Sequence, residues 1–194
     1  MSAIYKAFDY PQSSELNPSL LKIVRENLIQ MVSGGGYRTG WKLHERGLED
    51  INILLSWISG LIPKAAYVFA NKDADISAYN PGELGFDPYK LKIQDCWGIH
   101  YNKGEGVISH NHFPYTMTAC YYVNVPEGSA PIIMEGEEIH PVAGRVVFFP
   151  GHQYHEVMPT QNKADGRCAI PSNIVYSPFI QFYKHYKQIK DELL

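Results

Sequence analysis

Two histidines separated by a single residue, His110 and His112, have the types and the spacing that metal binding requires. They follow a short apolar stretch and a glycine-containing turn, which predicts extended chain at this point. In extended chain, residues i and i+2 point to the same side, so the two imidazoles can converge on one metal ion. The pattern is weak evidence alone, since two polar loop histidines in a chain with 8 histidines would look the same.

A third ligand has to come from a distant part of the chain, and His155 is the candidate. It follows the run RVVFF and a Pro-Gly turn, so it is predicted to lie at the end of a strand. Arg167 then opens another mostly apolar run. A guanidinium binds a carboxylate through two hydrogen bonds, which favours a ligand-binding role for Arg167 over that of a surface arginine. These residues together indicate a metal site with an anion-binding arginine nearby.

The first part of the chain, residues 1–70, is predicted to be mainly helical and to support the rest. A helix start is indicated at residues 17–19, where Asn, Pro and Ser follow one another. A second helix is predicted over 47–61, because its apolar residues repeat every three or four positions. Pro63 is expected to end it.

After residue 91 short apolar runs alternate with turn clusters, which is typical of an antiparallel sandwich or jelly roll. The fold class expected is mostly β with flanking helices, with a double-stranded β-helix (jelly-roll or cupin-like) core over 91–176. A loop over 71–90, as a candidate lid, and a closing helix over 178–194 complete a single domain of residues 1–194. The predicted strands cover 92–101, 116–125, 131–134, 145–149, 156–158 and 167–176.

Composition limits the class of protein. Apolar residues make up 45% of the chain and charged residues 19%, which predicts a globular protein. A net charge of −3 gives no bulk electrostatic reason for a nucleic-acid or membrane-surface partner. No signal peptide or membrane-spanning run is evident, so the protein is expected to be soluble and cytoplasmic, with its three cysteines reduced. Strand edges and 14 tyrosines favour a homodimer.

Several sequence segments, taken in order, resemble a family of 2-oxoglutarate/Fe(II)-dependent oxygenases found in bacteria and in phages of marine cyanobacteria. The similar features are H-x-H, a YYV strand ending in P-E-G, a G-x-x-x-x-F-P strand, a distal H-x-V, and an Arg followed by a strand ending near an Asn. The segment TGWKLHERGLEDINILL also resembles the family's G-W-x-x start of a helix. The resemblance covers about residues 39–176.

The resemblance implies an oxidoreductase that uses Fe(II), 2-oxoglutarate and O2 to hydroxylate an unactivated C–H bond, with release of succinate and CO2. His110, His112 and His155 match the metal-binding positions. Arg167 matches the arginine that binds the distal carboxylate of 2-oxoglutarate. Its substrate would be a small molecule or a protein side chain, and the sequence does not select between them.

Three further residues are expected near the cosubstrate. Asn173 matches an asparagine in the strand that Arg167 opens, without an assigned role. Tyr101 and Tyr122 lie on predicted core strands and are expected to line the cosubstrate pocket.

One feature departs from the wider superfamily, which uses two histidines and one carboxylate. His112 stands at the carboxylate position. The site can then be three histidines, which is the preferred interpretation. Alternatively, His112 does not bind the metal, or Glu105, Glu156 or Asp95 supplies a carboxylate.

Two other functions stay open on the sequence alone. A cupin-like dioxygenase or isomerase would use three histidines without 2-oxoglutarate. A non-catalytic jelly-roll binding protein would need no transition metal.

Overall fold

The computed structural model describes residues 3–71, 77, 79–181, 185, 186 and 188. Within this part of the chain, two α-helices, α1 (Ser13–Glu26) and α2 (Glu49–Ala70), accompany the strands. Short 3-10 helices cover Leu43–Arg46, Pro81–Leu84, Pro88–Lys90 and Ser177–Phe179. The strands are β1 (Lys6–Asp9), β2 (Gln30–Met31), β3 (Tyr37–Arg38), β4 (Leu91–Cys96), β5 (Ile99–Tyr101), β6 (Val107–His110), β7 (Met117–Asn124), β8 (Ile132–Met134), β9 (Glu137–Ile139), β10 (Arg145–Pro150), β11 (His155–Val157) and β12 (Arg167–Tyr176).

The described strands form two sheets. The major sheet has the order β1-β10-β7-β12-β5-β3-β2, and β4 also pairs with β12. The minor sheet has the order β6-β11-β8-β9. All the strand pairs in both sheets are antiparallel. Neighbours in the sheets are therefore mostly not neighbours in the chain, as expected for the predicted jelly roll.

Both faces of the major sheet are covered, and this explains why its central strands β7 and β12 are almost completely buried and mostly apolar. Side chains alternate across a strand, so consecutive residues of β7 enter different cores. Tyr121 belongs to the core between the sheet and the helices, together with Phe148 and Ile170. Tyr122 belongs to the core between the two sheets, together with Phe149.

The first helix begins earlier than the sequence predicts. α1 starts at Ser13, and Pro18 lies inside it. Asn17 does not cap a helix, since its side-chain oxygen accepts a hydrogen bond from the Tyr121 hydroxyl at 2.7 Å. Leu20 and Val24 are fully buried, so apolar packing decides where this helix runs.

The second helix continues past the proline that was expected to end it. Pro63 lies inside α2, which runs on to Ala70. A proline within a helix costs about 3 kcal/mol, but Ile62 and Ala65 beside it are buried in the helix–sheet core. The free energy gained by burying the helical turns around Pro63 therefore outweighs the cost of the backbone hydrogen bond that a proline cannot donate.

Helix α2 also corrects the expectation that no segment is long and apolar enough to cross a membrane. Its 22 residues pass that test by length and composition. Ile51, Leu54 and Ile58 are completely buried inside the protein. A helix in the core of a protein passes the same test, so this is weak evidence for a membrane span.

The β core follows the predicted strands with some differences. β12 has the predicted bounds, whereas the predicted strand over 92–101 is two strands, β4 and β5, interrupted at Trp97 and Gly98. The hairpin of β2 and β3 and the strands β1, β6 and β9 were not predicted. The described part of the loop over 71–90 includes the 3-10 helices Pro81–Leu84 and Pro88–Lys90. The closing helix predicted over 178–194 lies mostly outside the described residues.

Candidate functional site

Two of the three candidate histidines lie side by side on neighbouring strands of the minor sheet. β6 ends at His110 and β11 begins at His155, and these two residues are direct partners in the antiparallel register. Their ring centroids lie 4.4 Å apart. The strand pairing therefore joins two positions that are far apart in the sequence.

His112 completes the group from the segment that follows β6. Its Nε2 atom lies 3.2 Å from Nε2 of His155. Its backbone is fixed, because its N–H donates to the Gly151 carbonyl at 2.7 Å. One ligand nitrogen from each of the three rings lies within 4.8 Å of the others. An ion bound at about 2.1 Å requires adjacent nitrogens about 3 Å apart, so small ring movements would complete a three-imidazole site.

Backbone carbonyls orient two of the rings. Nδ1 of His110 lies 2.8 Å from the Ile108 carbonyl, and Nδ1 of His155 lies 3.1 Å from the Gln153 carbonyl. A carbonyl only accepts, so each Nδ1 carries the proton and each Nε2 presents a lone pair. Metal-binding histidines are commonly held in this way.

The rings of His110 and His155 are kept neutral, which is the form that binds metal. Burial, and secondly the neighbouring His110, lower the pKa of His155 to about 3. Burial also lowers the pKa of His110. At neutral pH the lone pairs of both rings are thus available.

This pKa shift predicts a pH-dependent stability of the metal-free protein. In the unfolded chain, histidine has a pKa near 6.5. Between about pH 6.5 and about pH 3, His155 is therefore protonated in the unfolded state but not in the native state. Stability is therefore expected to fall as the pH falls through this window. Urea unfolding at pH 7 and pH 5 measures it. Between pH 7 and pH 5, the free energy of unfolding should decrease less in His155→Gln than in His152→Gln, the control at an exposed site. Equal decreases in the two variants would contradict the assignment of the effect to His155.

Gly106 holds β6 close to β11. A Cβ atom on Gly106 would lie 2.0 Å from the Val157 carbonyl oxygen, which is backbone and cannot give way cheaply. We expect Gly106→Ala to lower the free energy of unfolding by about 1–3 kcal/mol and to weaken metal binding by separating His110 from His155. Unfolding and metal titration measure both effects. Gly60→Ala is the control, since its Cβ would meet nothing within 4 Å. If both variants lost equally little stability and metal affinity, the prediction would be contradicted.

The structure places no carboxylate with the three rings. Among the described residues, the group within ligand distance contains histidines only. Asp95 forms an ion pair with Lys42 at 3.2 Å and accepts a hydrogen bond from the Tyr115 hydroxyl. Glu105 accepts from the Asn102 backbone N–H in its own turn. The alternatives that used these two residues as ligands are not supported.

Glu156, the third candidate carboxylate, follows His155 directly on β11. Successive side chains of a strand point to opposite faces, so Glu156 points away from the three rings. It does not join the histidine group.

Arg167 is buried between the two sheets. It is 2% exposed and lies at the start of β12, directly opposite Tyr101 on β5. Its Nε donates to the Ala130 carbonyl at 3.2 Å, and its guanidinium carbon lies 5.3 Å from the Tyr101 ring centroid and 5.5 Å from that of Tyr122. Within the described residues it has no acidic partner. A buried, unpaired guanidinium is the group that an incoming carboxylate would neutralise.

Arg167 and the histidines line the same inner cavity. This cavity, of about 60 Å³, is lined by the three histidines together with Arg167, Tyr101 and Tyr122. The buried Tyr122 hydroxyl has no nitrogen or oxygen partner among the described residues. The cavity thus contains a candidate metal site and a candidate anion site, and the Tyr122 hydroxyl, which interacts with the Cys120 thiol, lies on the same cavity.

A larger outer cleft of about 570 Å³ adjoins the inner cavity, and His110 and His112 line both. Asn173 lines the outer cleft, where its side-chain oxygen accepts from the Thr118 hydroxyl at 3.1 Å. It does not line the inner cavity with Arg167. A ligand in the outer cleft would therefore reach the histidines without touching Arg167, which lines the inner cavity but not the outer cleft.

Sequence reasoning missed most of the outer cleft. Arg38 and Trp41 come from one segment of the chain, and Asp95 and Trp97 come from another. The two segments meet only in the folded chain, where Lys42 pairs with Asp95. Cys120 on the inner cavity had a usable signal, since alternation along β7 puts it on the same face as Tyr122.

The sequence matches no family model and no curated protein sequence. Solved structures do match. A prolyl-4-hydroxylase of Pseudomonas putida is 17% identical with a TM-score of 0.60, over 90% of this chain and 93% of its own. The viral collagen prolyl hydroxylase of Paramecium Bursaria Chlorella virus-1, solved with 2-oxoglutarate, is 16% identical with a TM-score of 0.64, over 88% and 95%. This chain has the 2-oxoglutarate/Fe(II) oxygenase fold.

The oxygenase fold is shared by enzymes with different reactions. The α-ketoglutarate-dependent epimerase SnoN of nogalamycin biosynthesis matches with a TM-score of 0.61 at 10% identity, over 89% of this chain and 78% of its own. The predicted mostly-β jelly-roll class is confirmed, and so is the resemblance as far as the fold goes. The fold does not select the reaction.

Proposed function

We propose that this protein is a 2-oxoglutarate- and Fe(II)-dependent oxygenase that hydroxylates an unactivated C–H bond and releases succinate and CO2. The observation that carries the proposal is the inner cavity, which combines three converging imidazoles with a buried guanidinium that has no counter-ion among the described residues. The match to the oxygenase fold supports it.

The residues present fit both groups. His110, His112 and His155 would hold Fe(II), since imidazole suits this metal and the ligand nitrogens already converge. Arg167 and the Tyr122 hydroxyl would hold the distal carboxylate of 2-oxoglutarate, which would give Arg167 the acidic partner that it lacks among the described residues and give the hydroxyl an oxygen acceptor. When bound, the metal and the cosubstrate would supply the electrons that reduce and thereby activate O2.

The protein's own part is orientation and exclusion of water. Arg167 lies between two sheets at one end of the cavity and thereby fixes the direction in which a dicarboxylate can lie. Phe149 packs against the His155 ring at 4.7 Å between centroids and closes the apolar side of the cavity. Target C–H bonds would approach through the outer cleft.

A combined ligand titration tests the proposal. A ligand that binds only the native state raises the melting temperature, by an amount equivalent to about 2.7 kcal/mol at 100 times its Kd. We expect Mn(II) to raise it, and 2-oxoglutarate to raise it further only when Mn(II) is present. 2-Oxovalerate, which lacks the distal carboxylate, is the matched control and should raise it less. An equal response to both oxoacids would contradict the proposal.

The second candidate is a three-histidine dioxygenase that does not use 2-oxoglutarate, and the all-imidazole donor set favours it. It predicts a response to metal but none to 2-oxoglutarate. Anaerobic titration of Fe(II) with 2-oxoglutarate, followed by a succinate assay, separates the two candidates, because only the first predicts a visible charge-transfer band and succinate.

A further inference from the structure

A second arginine without an acidic partner, Arg38, lines the outer cleft. It lies on β3 and is only 9% exposed. Its two terminal nitrogens donate to neutral acceptors, the Thr39 carbonyl at 2.8 Å and the side-chain oxygen of Gln30. Its guanidinium carbon lies 4.0 Å from the ring centroid of Trp41. Within the described residues no carboxylate pairs with it.

The outer cleft therefore carries an excess of positive charge. Asp95 also lines it, but Lys42 neutralises that carboxylate at 3.2 Å. Burial lowers the pKa of Arg38, and no acid offsets this effect. A guanidinium has five N–H donors, of which two are used here, so the remaining ones can bind an oxyanion.

An aromatic surface leads from Arg38 to the histidines. Trp41 contacts Trp97 with ring centroids 4.7 Å apart, and Trp97 lies 5.7 Å from the His112 ring. Both indoles line the outer cleft. An apolar molecule lying along these rings would have one end at the histidines and the other at Arg38.

We propose that the outer cleft binds a small molecule with an apolar body and an oxyanion group, a carboxylate or a phosphate, and that Arg38 binds the oxyanion. This assignment rests on the proposed function, since it describes the substrate of the same site. The cleft volume of about 570 Å³ lies in the range of small-molecule sites, about 300–1,000 Å³. Arg38 determines substrate orientation, because binding of the oxyanion there leaves the apolar end of the molecule at the histidines.

Binding measurements on metal-free protein test the assignment independently of catalysis. The probes are a panel of small aromatic and aliphatic carboxylates and phosphate monoesters, each paired with its neutral amide or alcohol. Tryptophan fluorescence reports binding, since Trp41 and Trp97 lie beside the site. We expect wild-type protein to prefer the anion in at least one pair by about tenfold. Preference for carboxylates or for phosphates identifies the chemistry of the natural substrate.

Variants decide whether Arg38 is responsible. Arg38→Gln should remove the preference and Arg38→Lys should retain part of it. Tyr37→Ala, on the same hairpin but outside the cleft lining, should retain all of it. Arg167→Met should also retain it, which excludes anion binding in the inner cavity. Circular dichroism verifies that each variant is folded.

The assignment is overturned if no pair shows the preference in wild-type protein, or if the preference survives Arg38→Gln. The Mn(II) and 2-oxoglutarate titration is performed on the same variants. Loss of anion preference with an intact 2-oxoglutarate response supports the Arg38 assignment. No 2-oxoglutarate response in wild-type protein refutes the proposed function separately.

Discussion

Replacement of His155 by alanine is expected to abolish tight metal binding, with an affinity loss of more than about 100-fold. His155 contacts both other rings, at 4.4 Å from His110 and 5.0 Å from His112 between centroids. Its loss leaves two imidazoles on one chain segment and removes the ligand from the opposing strand. The metal content of the purified protein and titration with Mn(II) measure the change.

His152→Ala is the matched control for this experiment. His152 lies three residues earlier, is exposed and does not belong to the histidine group. The His152→Ala variant should therefore bind metal as tightly as the wild-type protein does. Full metal occupancy in folded His155→Ala protein would remove His155 from the ligand set and with it the proposed centre.

Replacement of Arg167 by methionine is expected to abolish 2-oxoglutarate binding while leaving the metal in place. Truncating one partner of a buried charge pair costs about 2–5 kcal/mol, which corresponds to at least about 30-fold in Kd. Because Arg167 is buried and has no acidic partner among the described residues, the ligand-free variant should be as stable as the wild type or more stable. Calorimetric titration of 2-oxoglutarate at constant Mn(II) and urea unfolding measure the two quantities.

The oxoacid pair makes the Arg167 experiment specific. Wild-type protein should discriminate between 2-oxoglutarate and 2-oxovalerate, and Arg167→Met should not. Arg145→Met, which removes a surface arginine paired with Asp9 at 2.7 Å, should retain the discrimination. If Arg167→Met lost its metal, or still preferred 2-oxoglutarate, Arg167 would not be the carboxylate-binding residue.

The sequence predicted the strands that are buried on both faces. β12 was delimited correctly because most of its residues are apolar and turn residues flank it. The convergence of His110, His112 and His155 was also anticipated, from the i, i+2 spacing and the position of His155 after a strand. These are local signals, and local signals can be read from one sequence.

The outer cleft could not be predicted, because the residues that form it show no local pattern in the sequence. β2 and β3 have two residues each, and Met31 is exposed, so they show no periodicity. Trp41 and Trp97 are far apart in the sequence and make contact only in the folded chain. The helix limits failed similarly, since the burial of Ile62 and Ala65 that carries α2 past Pro63 is a tertiary effect.

The inner cavity joins groups that belong to different layers of the protein. The strands that carry His110 and His155 are in the minor sheet, whereas Arg167, Tyr101 and Tyr122 are in the major sheet. A dicarboxylate bound at both ends would act as a non-covalent cross-link between the layers. Hydrogen exchange in β6 and β11 should then slow on ligand binding, far more than exchange in the helices behind the major sheet, and the cosubstrate would be a structural part of the sandwich as well as a reactant.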